Sequence, residues 1–420
     1  METRVYYGEY TLRHWLNLVI SRNVVLPNYQ RSFVWDEKDI KRLLTSLASG
    51  QFVPPVTIAH FNAVEASQNL ILDGQQRLTS ILLAYLGYMP VKNLFKPSDY
   101  ELASGDDSNE DTISSPMEWT YKMLLSKKLT ENTLALIEER LRDDERYQKL
   151  DIHYPIDKDE FFDNTFLGFS FIIPNSMDAL GTQRYFSTLF RNMNYLGHKL
   201  SSLESRRSLY FLNENYAHYF DGRLANGKDV LCDVPIIENM QPHKIDFVRY
   251  LSTLSQYVGT GKYDKVLMGY SSYSSRESYY ADYVSYIVGL EQESRQDKFN
   301  SFHIDVAFPN MAWKTRFESV HTFIERNKSH LNLDEKSTAF TSWIDADYWL
   351  FGLLYWVLFY GKSICDEEIL VNTISAEIAL KRKPMEGDKE GEDYVKNPNR
   401  VLNMRLRMKR SIEIYEKYVR

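Results

Sequence analysis

Residues Leu70 to Thr79 constrain the fold more than any other stretch of the chain. Leu70, Ile71 and Leu72 form a short apolar run, and Asp73-Gly74 follows as a tight polar turn. Leu78, Ile81, Leu82, Tyr85 and Leu86 then recur at the spacing of one helical face. The pattern predicts a strand, a turn and an amphipathic helix with a buried stripe. The polar residues therefore fall where a strand feeds a helix N-terminus. That position offers backbone N–H groups without helical partners and the positive end of the helix dipole, a setting that suits an anion. A structural turn needs Gly74 and at most Asp73. Gln75, Gln76 and Arg77 add two amides and a guanidinium that the turn itself does not require.

A second polar cluster lies upstream, from Leu26 to Trp35. Pro27 favours an extended chain at Leu26. Tyr29, Phe33 and Trp35 alternate with polar residues, and Gln30-Arg31 sits among them. Phe33 and Trp35 are expected in the core, whereas Gln30 and Arg31 need polar partners in such a setting. Asp36 has the position of an N-cap, with Asp39 completing a capping box. Ile40, Leu43, Leu44 and Leu47 then mark one face of a helix that ends near Gly50.

Pro27-Asn28-Tyr29-Gln30-Arg31 with Trp35, followed by Asp73-Gly74-Gln75-Gln76-Arg77, resembles the N-terminal domain of GmrSD-type modification-dependent restriction proteins. That family is distantly similar to ParB and sulfiredoxin. A third stretch, Phe190 to Ser201 with Asn194, Gly197, Ser201 and then Glu204, is similar to a further block of the family. It departs from the family pattern at Leu196, where the first of two glycines is usual. The resemblance implies a ParB/sulfiredoxin-like α+β N-terminal domain, tied in the family to nucleoside triphosphate hydrolysis. It implies catalytic roles for Asp73, Gln75, Gln76 and Arg77, and nucleotide binding by Tyr29, Gln30, Arg31, Gly74, Thr79 and Asn194. Chemically, Arg77 can hold phosphate oxygens bidentately. Gln75 or Gln76 can orient water or a phosphate oxygen. Asp73 can hold Mg²⁺ or accept a proton from water. The chain has no Walker A sequence, so a P-loop enzyme is excluded.

At 420 residues the length suits two to three domains. An apolar fraction of 44% with 30 Tyr and 22 Phe argues against general disorder. Cys232 and Cys365 lie far apart and form no metal or redox motif, which fits a reducing cytoplasm. Met1 to Arg4 leads into mixed polar sequence, so no signal peptide is expected. The most apolar window, Trp349 to Tyr360, is too short to span a bilayer and reads as a buried helix. The net charge of −7 does not suit a protein coated for nucleic acid. From Lys396 onward, however, basic residues dominate. Arg405, Arg407, Lys409 and Arg410 are candidates for phosphate contact with DNA, against the plainer reading of a solvated helix face.

Residues 1–225 are expected to form the N-terminal domain, with a nucleotide-binding core over about 1–90 and a helical extension over 117–220. Within it, 104–115 reads as an acidic surface loop, 117–150 as helical, 183–219 as helical with a break near Gly197, and Phe166 to Ile173 as a strand. Residues 226–420 are expected to form a mainly helical domain. Its helices are predicted over 244–257, 275–292, 313–327, 346–360 and 367–380, with a charged linker at 381–399 and a basic tail at 396–420. His243 and His321 read as structural. His303-Ile304-Asp305 lacks the companions of an HNH nuclease. The leading functional expectation is a cytoplasmic NTPase or sensor subunit of a restriction-type defence system, acting with DNA and a separate nuclease. The alternatives are a non-catalytic DNA-binding or adaptor module and a self-contained endonuclease. On the first expectation, Arg31 and Arg77 converge on one cavity.

Overall fold

The computed structural model describes residues 3–27, 32–62, 67–95, 102–103, 119–174, 181–182, 185–186, 188–189, 202–210, 213–238, 240–267, 273–290 and 298–420. The chain divides into two compact units. The first comprises residues 1–100 and 112–211, and the second comprises 101–111 and 212–420. The first is α+β and the second is mainly helical, the architecture expected from the change in sequence periodicity.

The first unit is built on a four-stranded mixed sheet. Its strands are β1 (Arg4–Thr11), β2 (Val56–Asn62), β3 (Ser67–Asp73) and β4 (Phe166–Ile173), in the order β1-β4-β2-β3. β1 runs antiparallel to β4, β4 parallel to β2, and β2 antiparallel to β3. Helix α1 (Leu12–Ile20) follows β1 directly, capped by the Thr11 side chain. Helix α2 (Glu37–Ala48) starts at the capping box of Asp36 and Asp39 and buries Ile40, Leu43, Leu44 and Leu47. Helix α3 (Gln75–Leu86) follows β3 across Gly74. Helices α4 (Leu134–Arg142) and α5 (Lys158–Asn164) complete the layer. Trp15, Leu16, Ile40, Leu44, Ile58, Ile71, Ile81 and Leu82 share the core between sheet and helices. The indole of Trp15 donates to Leu167 O at 3.0 Å and pins α1 to β4.

One expectation for this unit needs correction. The stretch read as helical over 117–150 holds only α4. Around α4 lie short 3₁₀ turns at Tyr121–Leu124 and Leu129–Glu131 and the strand Tyr147–Lys149. The reason is burial of aromatic side chains from an extended backbone. Trp119 is fully buried, packs edge-on to Phe33, and donates its indole N–H to Tyr147 Oη at 3.0 Å. Over 183–219 the described residues are helical at 185–186, 188–189, Ser202–Arg207 and Glu214–Asp221, as expected, and the break near Gly197 lies outside them. Asn194, the Phe190–Ser201 block and the acidic loop 104–115 lie outside the described residues.

The second unit contains α6 (Phe247–Thr260), α7 (Tyr273–Ile287), α8 (Trp313–Asn327), α9 (Trp343–Leu353), α10 (Glu367–Arg382), α11 (Lys389–Lys396) and α12 (Val401–Glu416). A small sheet joins Leu102–Ala103, Gln241–Ile245 and Pro235–Glu238. The segment 381–399, read as a linker, carries α11, because Asp388 caps Gly391 N at 3.0 Å and Tyr394 is buried. The window Trp349 to Tyr360 is helical and mostly buried, with a π-helical stretch at Leu354–Phe359. Among the described residues, no helix is long and apolar enough to cross a membrane.

α9 and α12 approach so closely that a Cβ at Gly352 would lie 2.6 Å from Ser411 O. Ser411 Oγ donates to Tyr348 O at 2.7 Å and accepts from Gly352 N at 2.8 Å. Beside this contact lies a buried ion network. Asp347 on α9 accepts from Arg249 Nη2 at 2.9 Å, from Tyr250 Oη at 2.9 Å and from Arg407 Nε at 2.9 Å. All three charged side chains are almost completely buried. Burial opposes ionisation of Asp347, but the two guanidinium groups more than offset it and hold the carboxyl below its usual range.

Candidate functional site

The strand-to-helix turn forms as the sequence requires. β3 ends at Asp73, opposite Thr57, where the register with β2 shifts between Thr57 and Ile58. Gly74 then takes φ 95°, a left-handed conformation that side chains disfavour, and starts α3. A Cβ at this position would also meet Val56 Cα at 3.2 Å and Arg77 Nη2 at 3.1 Å. Glycine is therefore required twice over, by backbone angle and by close approach. α3 is held from outside by Tyr85, whose hydroxyl donates to Asp159 Oδ1 on α5 at 2.9 Å.

The polar residues of the turn divide into different roles. Arg77 Nη2 donates to Asp73 Oδ2 at 2.7 Å and to Pro55 O at 3.2 Å. The Asp73 side chain is 55% exposed and that of Arg77 is 14% exposed. Arg77 Nε is buried and has no hydrogen-bond partner. Thr79 and Ser80, two and three residues further along, are fully buried, and neither hydroxyl has a partner. Gln75 is buried as well. The first-turn amides of α3 have no acceptor within the helix. The turn thus gathers a carboxylate at the surface, a guanidinium behind it and helix N–H groups beneath.

Gln76 behaves differently from the role expected of it. Its Oε1 accepts from Val34 N at 3.0 Å, and its Nε2 donates to Ser32 O at 3.1 Å. Both ends of the amide are committed to the backbone of the upstream segment. Val25, on the other flank of that segment, runs beside β3: Val25 N donates to Asn69 O at 2.8 Å, and Ile71 N donates to Val25 O at 2.9 Å. Both flanks of the Tyr29-Gln30-Arg31 block are therefore tied to the β3–α3 unit. Tyr29, Gln30 and Arg31 themselves lie outside the described residues, and so does the expected convergence of Arg31 with Arg77. Phe33 is buried and Trp35 packs against the core, as expected from their type.

The basic candidates on α12 are placed differently from expectation. Arg407 is fully buried and bonded to Asp347 and to Pro398 O. Arg405 Nε donates to Val266 O at 2.8 Å. Arg410 pairs with Glu377 at 2.9 Å, and Lys409 lies 4.0 Å from Glu413. The helix periodicity sends Arg407 inward, so it cannot reach a phosphate without unfolding the core. Only Lys409 and Arg410 retain exposed side chains for such a contact.

Comparison with known proteins adds two findings. An uncharacterised protein of Methanocaldococcus jannaschii is 38% identical over 96 residues, which cover 18% of this chain and 17% of that protein. The match thus spans under a fifth of either chain and transfers no activity. A family model covers far more of the first unit, from the start of α1 to beyond Ser202–Arg207, and includes both the Gly74 turn and the segment that Gln76 anchors. Residues 12–211 match the GmrSD restriction endonuclease N-terminal domain, and this segment of the chain is a domain of that family.

Proposed function

We propose that the chain is a nucleotide-binding, NTP-hydrolysing subunit of a restriction-type defence system, working in the cytoplasm with DNA and a separate nuclease. The observation that carries this reading is the Gly74 turn. It presents Asp73 at the surface and Arg77 behind it, with a buried Nε that has no partner. A polyphosphate seated at the N-terminus of α3 would meet the helix amides and exchange Asp73 for phosphate oxygens on the guanidinium. Arg77 then holds the phosphate and Asp73 is freed toward water or a cation. A single, half-exposed carboxylate suits Mg²⁺, which is commonly bound through one or two carboxylates plus substrate phosphates. Asp73 is the residue that would hold the ion, whose contribution is to neutralise phosphate charge. Gln76 acts as a positioning residue, setting the segment next to Arg31.

The test is turnover of the four NTPs, with and without DNA, against a mock purification. Arg77→Ala is expected to lower the rate by about two to three decades, matching roughly 2–4 kcal/mol of lost charge stabilisation. Its folding stability should change by about 1 kcal/mol or less, because Asp73, the partner it leaves, is 55% exposed and recovers water. Asp73→Asn should keep nucleotide binding and lose turnover. Loss of folding in Arg77→Ala, with no nucleotide effect in Asp73→Asn, would refute the assignment.

The 2.7 Å ion pair also favours a second reading, since it already neutralises both groups. In that reading the domain is a non-catalytic adaptor and the pair fixes the turn. Nucleotide would then bind without hydrolysis, or not at all, under every DNA condition.

A further inference from the structure

We propose that Cys232, His321 and Glu325 form a zinc site in the second unit, with three protein ligands and one open position. Their donor atoms all lie within 4.8 Å of one another. Cys232 Sγ is 3.0 Å from His321 Nδ1, and the Glu325 carboxylate is hydrogen-bonded to the thiol. His321 and Glu325 are four residues apart on α8, so both project from one face of a regular helix. Cys232 comes to that face from a tight turn ahead of the strand Pro235–Glu238. The turn holds two consecutive non-glycine residues in the left-handed region, Cys232 at φ 55° and Asp233 at φ 53°. Lys328 Nζ donates to Cys232 O at 3.0 Å and ties the turn to the end of α8.

The donor set selects the metal. A thiolate with an imidazole and a carboxylate suits Zn²⁺, whereas Mg²⁺ and Ca²⁺ take oxygen ligands. The charges also balance: a thiolate, a carboxylate and a neutral imidazole together offset a divalent cation. Tetrahedral zinc with ordinary bond lengths places a ligating sulfur and nitrogen about 3.5 Å apart. The thiol–imidazole contact therefore needs to open by about half an ångström, within reach of side-chain rotation. The surroundings supply a route for entry, because Cys232 is buried, His321 half-buried and Glu325 exposed. The cluster thus opens to solvent on the carboxylate side, where the fourth ligand position would face water.

Without metal, burial first and the hydrogen bond with Glu325 second push the Cys232 thiol above its ordinary range. Coordination requires the thiolate, so metal binding releases a proton and is favoured by rising pH. The site does not depend on the nucleotide reading of the first unit.

The experiment uses the full chain, stripped with chelator and titrated with Co²⁺ and then Zn²⁺. One equivalent of Co²⁺ is expected, with a sulfur-to-cobalt charge-transfer band that Zn²⁺ displaces. Cys232→Ser should abolish the band, while Cys365→Ser, at the other cysteine, should retain it. Glu325→Gln changes an exposed side chain and should fold normally. It is expected to weaken Zn²⁺ binding by about tenfold or more. Absence of the band, or its survival in Cys232→Ser, overturns the proposal. If Cys232→Ser fails to fold, Glu325→Gln decides: unchanged Zn²⁺ affinity overturns the site and weakened affinity sustains it.

Discussion

Replacing Gln76 separates positioning from chemistry at the Gly74 turn. The side chain is 7% exposed and makes two hydrogen bonds, to Val34 N and to Ser32 O. Gln76→Ala removes both. Val34 is half-buried and its N–H can recover a water, but Ser32 is 3% exposed and its carbonyl has little access to one. The loss is therefore about two ordinary hydrogen bonds plus one unsatisfied buried group, roughly 2–4 kcal/mol. Gln76→Glu keeps the acceptor for Val34 N–H and sets a carboxylate against Ser32 O. That variant should be weakest at neutral pH and recover as the pH falls, because protonation restores a donor. In sign terms, the folded-state pKa of that glutamate would lie above its unfolded value, so stability is lost as pH rises through it. Urea unfolding followed by circular dichroism measures both effects, and nucleotide binding by the folded fraction measures the role of the 32–34 segment. If Gln76→Ala stays within about 0.5 kcal/mol of the parent yet loses turnover, the positioning argument fails and Gln76 belongs to the reacting groups.

Two further outcomes concern the second unit. Asp347→Ala leaves Arg249 and Arg407 buried without their shared carboxylate, and should cost about 3–5 kcal/mol in urea unfolding; a loss below about 1 kcal/mol would mean the core is not organised around that ion. Burial pushes Asp345 up to about 6, only partly countered by Arg382. Its folded pKa lies above the ordinary 3.8 of an aspartate, so its contribution is fully present below pH 3.8 and is lost as pH rises through about 6. Wild type should accordingly gain stability relative to Asp345→Asn as pH falls from neutral towards 4, and a pH-independent difference would contradict this.

Much of the first unit was legible because its signals are local. The capping box at Asp36 and Asp39, the apolar stripe of α2, the strand Phe166–Ile173 and the turn at Gly74 are each specified within a dozen residues. The helix expected over 117–150 failed for the opposite reason. There the backbone follows tertiary demands, chiefly the burial of Trp119 between Phe33 and Tyr147. The same limit applies at Gln76. Its residue type and place in the motif suggest contact with a ligand, and only the chain arriving from 42 and 44 positions upstream shows that both ends of its amide are taken.

The basic tail shows how one helix can defeat a reading by composition. Arg405, Arg407, Lys409 and Arg410 look alike in sequence, but a turn of 3.6 residues sends them to different faces. Arg407 enters the core and meets Asp347, which lies 60 positions earlier, whereas Arg410 stays near the surface with Glu377. The Cys232–His321–Glu325 cluster is the same problem reversed. Cys232 and His321 are 89 positions apart, so no spacing rule could join them, and each alone reads as an ordinary core or helix residue. The first unit thus places consecutive polar residues at one turn, which a motif can mark. The second assembles its chemistry from distant helices, where only the fold reveals it. Any reactive centre in the second unit should be sought among such assembled clusters rather than in sequence motifs.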